Sequence, residues 1–325
     1  MVAAMIVDKQ GRQFRNLRVS LTAACNYACT YCVPNGQRLQ PAAHELGGDE
    51  LLRAVGLLVD AGGINKLRIT GGEPLLSPKF DEFVAGLGEL ALDDIAITTN
   101  GQLITRKADA LLSSAIRRAN VSLDTLDPKA FSEIARGGDL ATVIEGIELL
   151  QAAGWKLKVN MVPLRRANAD QIVPMLEYCL DHNIELRYIE LMNMGHLRQG
   201  NGFSSDFFGM EEILELIGKQ FQFSRADAPY DSTAVRFEIP GRGCFGIIAN
   251  ESAPFCSGCT RLRLASNGDV YGCLSNSKHH SMKELLDLPR HEALPKLQQL
   301  LGLALQDKQD LSFSGEVTVM KFIGG

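Results

Sequence analysis

Two groups of three cysteines are the part of this 325-residue sequence best suited to chemistry. Cys25, Cys29 and Cys32 lie in "LTAACNYACTYCVPNG" (21–36), spaced C-x3-C-x2-C. Cys256, Cys259 and Cys273 lie in "FCSGCTRLRLASNGDVYGCL" (255–274), spaced C-x2-C-x13-C. Three thiols suit neither a four-ligand zinc site nor paired disulfides. Thiolates are the usual ligands of iron–sulfur clusters. Three of them can hold three irons of a [4Fe–4S] cube and leave the fourth open to a small molecule, as an open coordination position does in a catalytic metal site. The competing reading is zinc. In the first group it needs a distant fourth ligand; in the second, Cys244, His279 or His280 could complete a zinc ribbon. Cys179 falls in a helical pattern and reads as an inert buried residue.

Charge and composition narrow the field. The 33 Lys and Arg against 38 Asp and Glu give a net charge of −5, which argues against a general nucleic-acid binder but allows a local basic cluster for a small anion. No apolar run approaches the roughly 18 residues of a membrane span. The first 16 residues lack an apolar signal core. A cytoplasmic protein without a disulfide framework is therefore expected.

The elements that must position the cysteines follow from periodicity. Strand patterns at 17–22, 66–70, 94–99, 119–124, 156–162 and 186–191 alternate with helical patterns such as 48–62, 139–154 and 169–182. Six such units predict an α/β fold, an incomplete (βα)6 barrel over residues 1–200. Residues 201–325 read as an extension that carries the second cysteine group and closes the barrel. The first group then follows the first strand, at the carboxyl end where barrel active sites sit.

These strands are not the continuous apolar runs typical of parallel sheets. Leu17 and Val19 share one face and Arg18 and Ser20 the other; Leu67 and Ile69 oppose Lys66, Arg68 and Thr70; Leu157 and Val159 oppose Lys156 and Lys158. The apolar face must meet helices, so the polar face points inward. An interior holding Arg18, Lys66, Arg68 and Lys158 is expected as a wet cavity for an anion, because unpaired buried charge is prohibitive. The alternative is that some of these cations sit at strand ends and face solvent.

The first cysteine loop, with aromatic Tyr31 before its last cysteine, resembles that of the radical S-adenosylmethionine (SAM) superfamily. "ITGGEPLL" (69–76) after the second strand, "VSLDT" (121–125) and "IELMNMG" (189–195) are similar to its SAM-contacting segments. The resemblance implies a cluster on Cys25, Cys29 and Cys32 whose open iron binds SAM, and reductive cleavage of SAM to a 5′-deoxyadenosyl radical. It assigns SAM contacts to Tyr31, Gly71, Gly72, Glu73, Ser122 and Met192, with Met194 left to core packing.

The pattern C-x2-C-x-R-x-R-x9-C and the terminal Gly-Gly resemble the GTP 3′,8-cyclases of molybdenum cofactor biosynthesis, from about residue 10 to the end. That resemblance implies a second [4Fe–4S] cluster on Cys256, Cys259 and Cys273 that contacts the guanine base. It implies GTP contacts from Arg18, Lys66, Arg68, Thr99, Lys158, Arg187, Arg261, Leu262 and Arg263, and catalytic roles for Arg18, Arg261, Arg263, Gly324 and Gly325. Hydrogen abstraction from C3′ and attack on C8 would give 3′,8-cyclo-7,8-dihydro-GTP. The implied partners are GTP and an external electron donor such as flavodoxin or ferredoxin; monomer and homodimer stay open. The chain departs from the family at Ala23-Ala24, where Asp-Arg is common, at Val33-Pro34, and in the low acidity of 35–48. A paralogue acting on another substrate, such as a peptide, is the second reading, and a non-catalytic zinc protein the third. Anaerobic purification should yield a brown protein with about eight irons, two cubes of four; a colourless, zinc-loaded preparation after anaerobic reconstitution would contradict both enzyme readings.

Overall fold

Period-two alternation becomes six neighbouring parallel strands: β1 (Asn16–Ser20), β2 (Lys66–Thr70), β3 (Asp94–Thr99), β4 (Arg118–Ser122), β5 (Lys156–Met161) and β6 (Glu185–Ile189). The computed structural model describes residues 6–199, 201–275, 277–310 and 313–315. The expected strands 17–22 and 186–191 stop at Ser20 and Ile189, where the chain leaves the sheet for the site loops.

The helices between the strands form for local reasons. Helix Gly48–Gly62 buries Leu51, Ala54, Val55 and Leu58 on one stripe. The Glu50 carboxylate accepts from Gly47 N–H at 2.7 Å at its start, and Gly63, at φ 63°, ends it. Helix Pro128–Ala135 begins with Asp127 accepting from Ala130 N–H and with proline in its first turn. The apolar strand faces, including Leu17, Val19 and Ile69, are fully buried.

Beyond residue 200 come β7 (Ser224–Ala226), β8 (Val235–Ile239), β9 (Gly243–Ile248), β10 (Arg261–Leu264), β11 (Asp269–Tyr271) and β12 (His280–Ser281). They build no sheet of their own. The order is β12-β11-β10-β1-β2-β3-β4-β5-β6-β9-β8-β7, with β10 parallel to β1 and β9 parallel to β6. Eight parallel strands thus lie between two antiparallel margins, so the expected extension over the barrel proves to supply both edges of the same sheet. The sheet also curves back on itself. Asp231, between β7 and β8, accepts from Asn16 Nδ2 of β1 at 3.2 Å and lies 3.8 Å from Lys66 Nζ of β2. With strands spaced about 4.8 Å apart, these elements could not meet across a flat sheet.

Helix Arg290–Gln306 packs on helix Gly48–Gly62 and presses its last turn against the second cysteine loop. A Cβ at Gly272 would lie 1.7 Å from the Ala304 carbonyl oxygen. That contact allows only glycine and fixes where Cys273 and the end of the helix meet. Gly272→Ala should therefore destabilise the fold by about 1–3 kcal/mol, read as a lower midpoint in thermal unfolding; an unchanged midpoint would show that this approach is not tight.

Candidate active site

The first cysteine loop is held by backbone. Cys32 N–H and Val33 N–H both donate to the Cys29 carbonyl, at 2.9 and 3.0 Å, and Ala28 and Thr30 N–H donate to Ala135 and Ile134 at the end of helix Pro128–Ala135. The GGEP loop after β2 docks on the same segment: Gly72 N–H donates to Thr22 and Glu73 N–H to Ala24, both at 2.8 Å. A Cβ on Gly72 would sit 2.3 Å from the Ala24 carbonyl oxygen. Gly71 and Gly72, expected to make room for SAM, here make room for the cysteine loop.

Glu73 is fully buried and accepts from Thr99 Oγ1 (2.7 Å), Asn100 N–H (2.7 Å) and Leu75 N–H (3.0 Å). Burial pushes its carboxyl up to about 7. Asn100 Nδ2 donates to Asn26 Oδ1 at 2.8 Å, so Glu73 ties the end of β3 to both loops. Tyr31 O–H donates to Asp124 at 2.9 Å, and burial pushes the Asp124 carboxyl up to about 6. Cys29, Tyr31, Asn100, Ser122 and Asp124 line one cleft of about 330 Å³. Tyr31 and Ser122 are thus brought together with a cysteine. Met192 does not line that cleft, and Met194 is core.

Sequence reasoning missed Glu45. Its Oε1 accepts from Thr22 Oγ1 (3.1 Å), Ala23 N–H (2.9 Å), Ala42 N–H (3.1 Å) and Ser266 Oγ (3.0 Å), and its Oε2 lies 3.6 Å from Lys79 Nζ. This carboxylate joins the cysteine loop to the turn after β10. The unusual Ala23 and Ala24 are buried beneath it.

Cys256, Cys259 and Cys273 line a second pocket of about 530 Å³ with Arg261, Arg263 and Lys308. Arg261 Nε and Nη2 each lie 3.4 Å from Cys259 Sγ, and Lys308 Nζ lies 3.2 Å from it. Lys308 is held there by the carbonyls of Arg261 (2.8 Å) and Gly272 (3.0 Å). Burial would raise the Cys259 thiol, but Arg261 and Lys308 outweigh it and hold it well below its ordinary value. At Cys25 burial is not offset in this way, and it pushes the thiol up to about 12. No sequence signal marked Lys308, which arrives from the end of a distant helix.

The donor sets fit clusters better than zinc. All six cysteines are free thiols. Among the described residues no three His, Cys, Asp or Glu side chains are placed to hold one ion, whereas a cube takes its ligands on separate irons. Cys244 lies on β9, across the sheet from β10, and His280 Nε2 is engaged by Asp307 at 2.7 Å. Neither completes a zinc site.

Inside the curved sheet Arg263, Arg18 and Arg68 stand side by side in register on β10, β1 and β2. Arg18 has no hydrogen bond or ion pair with any described residue, and Arg68 Nη1 is buried without a partner. Burial lowers all three, helped by Arg263 and Arg261 at Arg18, by Arg118 and Arg187 at Arg68, and by Arg261 at Arg263; Arg68 and Arg263 fall to about 10. Facing them, Lys158, Arg187 and Arg236 share one carboxylate, Glu185, at 2.6, 2.8 and 3.4 Å. Glu185 and Arg236 were not anticipated, and they correct the expected wholly cationic interior: one wall has a counter-anion. Lys66 is half-exposed at the strand start beside Asp231, as the strand-end alternative has it. Thr99 gives its hydroxyl to Glu73. Leu262 is fully buried on the face of β10 opposite Arg261 and Arg263, so its side chain points away from the pocket. Gly324 and Gly325 lie outside the described residues.

Residues 19–179 match the model of the radical SAM superfamily, and residues 184–313 match that of "Molybdenum Cofactor Synthesis C". The chain is 36% identical over 298 residues to a GTP 3′,8-cyclase of Synechocystis, covering 92% of this chain and 89% of that one. It is 35% identical over 312 residues to one of Listeria monocytogenes (94% and 91%) and 38% identical over 283 residues to one of Staphylococcus haemolyticus (84% and 82%). The chain belongs to the GTP 3′,8-cyclase family.

Among solved structures, SuiB of Streptococcus suis bound to S-adenosylmethionine has TM-score 0.60 at 19% identity, covering 85% of this cyclase-family chain and 65% of its own. The anSMEcpe enzyme with bound AdoMet has TM-score 0.58 at 17% identity (87% and 83%). At these identities they show a shared fold. Among the described residues no helix is long and apolar enough to cross a membrane.

The Glu185 wall carries a pH signature. Burial, with repulsion from Arg187, lowers Lys158 to about 8. Its ammonium is therefore charged below that pH and is lost as pH rises through it. Measured against Lys158→Arg, which stays charged throughout, the wild-type affinity for inorganic triphosphate should match near pH 7 and drop below it as pH passes about 8. Equal titration curves for the two proteins would contradict this.

Proposed function

We propose that this chain is a radical SAM enzyme converting GTP to 3′,8-cyclo-7,8-dihydro-GTP, the first step of molybdenum cofactor biosynthesis. The observation that carries the reading is the in-register row Arg263, Arg18 and Arg68 beside Cys259, in a chain alike to GTP 3′,8-cyclases over 92% of its length. Arg18 and the buried Nη1 of Arg68 leave donors of that row open to an anion, and guanidinium forks suit phosphate oxygens.

Cys25, Cys29 and Cys32 would hold one [4Fe–4S] cluster, and Cys256, Cys259 and Cys273 the other. When bound, the first cluster with SAM supplies a carbon radical that can take hydrogen from an unactivated C–H bond. The chain's own residues do the rest. The cleft of Cys29, Tyr31, Ser122 and Asp124 sits beside the first cysteine loop and supplies polar groups for SAM. Gly71, Gly72 and Glu73 fix that loop from behind. Arg18, Arg68, Lys158 and Arg187 hold the phosphates, while Arg261 and Arg263 place the nucleotide against the second cysteine pocket. Holding ribose C3′ and guanine C8 in one enclosed pocket favours their bonding over side reactions with water. The electron comes from an external donor such as flavodoxin or ferredoxin. The free thiols suit the reducing cytoplasm.

The test is anaerobic incubation with SAM, reductant and GTP carrying deuterium at C3′. Deuterium should appear in 5′-deoxyadenosine and a cyclised GTP product should form. SAM cleavage with no GTP-derived product would remove the substrate assignment and leave the radical chemistry. Arg263→Ala should weaken GTP binding about 10- to 100-fold while GTP-independent SAM cleavage persists; unchanged affinity would show that the pocket is elsewhere.

A further inference from the structure

Lys308 lies just past helix Arg290–Gln306, buried at the second cysteine pocket. Its Nζ has three acceptors: Cys259 Sγ at 3.2 Å, the Arg261 carbonyl at 2.8 Å and the Gly272 carbonyl at 3.0 Å. An ammonium has three N–H donors and no acceptor, so this set uses all of them. A neutral amine, with one donor fewer, could not make it, and no donor is left for a nucleotide. The Phe14 ring, 5.1 Å from Nζ, adds a cation–π contact.

The place of those acceptors shows what the ammonium does. β10 and β11 pair as a hairpin, Arg263 with Tyr271 and Leu264 with Val270. Cys259 precedes β10 and Cys273 follows β11, so both hang from the open end of that hairpin. Lys308 ties the two strands together there, through Arg261 and Gly272. The third cysteine is tied through the next residue: Arg12 Nη1 donates to the carbonyls of Gln309 (2.6 Å) and Cys256 (3.0 Å). Two carbonyl bonds make a staple, and burying an ammonium for a staple alone is costly. The bond to sulfur is the part a staple does not need. Three thiolates give a cluster negative charge, and each electron it accepts adds more; hydrogen bonds to the sulfurs and nearby charge set its potential. Arg261 also reaches Cys259 Sγ, but it is read above as holding the nucleotide. Lys308, with every donor engaged by protein, stays on the sulfur when substrate draws Arg261.

We propose that Lys308 is a positioning residue of the second cluster, whose hydrogen bond to Cys259 Sγ raises that cluster's one-electron reduction potential. The proposal rests on the reading of Cys256, Cys259 and Cys273 as the cluster's ligands. Without the bond, the charge on the Cys259 sulfur is less compensated and the reduced cluster is harder to reach. Lys308 acts through Cys259 and touches no reacting atom.

The test uses the full-length chain carrying Cys25→Ser, Cys29→Ser and Cys32→Ser, so that only the second cluster is read. After anaerobic reconstitution with iron and sulfide, iron content is measured. The reduction potential is then found by EPR at set potentials, for this parent chain and for Lys308→Met and Lys308→Arg made in it. Lys308→Met keeps the length of the side chain and removes its donors and charge; its potential should shift to a more negative value in the chains that hold a cluster. Lys308→Arg keeps a charged donor and should lie between the two. A role in folding alone would lower iron content or the unfolding midpoint without moving the potential of the clusters that form. An unchanged potential in Lys308→Met, or the same shift in Lys308→Arg as in Lys308→Met, would therefore overturn the proposal. If Lys308→Met takes up no iron, Lys308→Gln, a neutral donor, is read in its place: a more negative potential supports the proposal and an unchanged one overturns it. The two readings fail separately. A parent chain that takes up no iron overturns the ligand assignment and the proposal with it; a parent with about four irons whose potential ignores residue 308 overturns the proposal alone.

Discussion

Repulsion among buried guanidinium groups is the constraint around which this molecule is organised. Arg263, Arg18 and Arg68 stand on adjacent strands in register, in an environment that disfavours charge on each of them. Nothing in their own strands requires them to be together. The parallel pairing of β10 with β1 does, and it joins residues separated by most of the chain. On the opposite wall the fold relieves the same problem with Glu185. On the other wall Arg18 and the buried Nη1 of Arg68 keep donors open to an anion.

The two cysteine groups solve the charge of their thiolates in different ways. The first lies among backbone and carboxyl groups, including Glu73 and Asp124, and Cys25 and Cys29 resist ionisation. Their negative charge must be compensated by iron itself, since metal binding has to displace the protons. The second lies beside Arg261 and Lys308, which favour thiolate at Cys259 without any metal. The guanidinium of Arg261 also stacks on Phe255, 4.6 Å from its ring centroid. The second site is thus continuous with the cationic pocket, while the first is electrostatically separate from it and is joined to the rest by Glu45 and Glu73 through hydrogen bonds.

Much of this was legible in local pattern. Cysteine spacing marked both groups, and period-two alternation put Arg18, Arg68 and Lys158 on the inner face. Helix Gly48–Gly62 and strand Lys66–Thr70 form over the spans their patterns marked. What was not legible acts at long range. Glu45 lies in a loop with no pattern, and its four hydrogen bonds go to segments up to 221 residues away. Lys308 comes from the end of a helix, and Arg236 from a short strand that local pattern could not pair. β9 and β10 read as ordinary short strands; only the assembled sheet shows that they flank β6 and β1 in parallel. Gly72 was legible as a glycine that permits close approach, but the partner, the Ala23–Ala24 backbone, was not.

The central claim is that the cationic interior is a polyphosphate pocket, stabilised when filled. The most direct measurement is the thermal unfolding midpoint of the anaerobic protein against rising inorganic triphosphate at constant ionic strength. A ligand that binds only the folded state at a hundredfold excess over its Kd adds about 2.7 kcal/mol, so the midpoint should climb with concentration and level off only logarithmically. A midpoint that does not move, or that moves equally with chloride at the same ionic strength, would contradict the account.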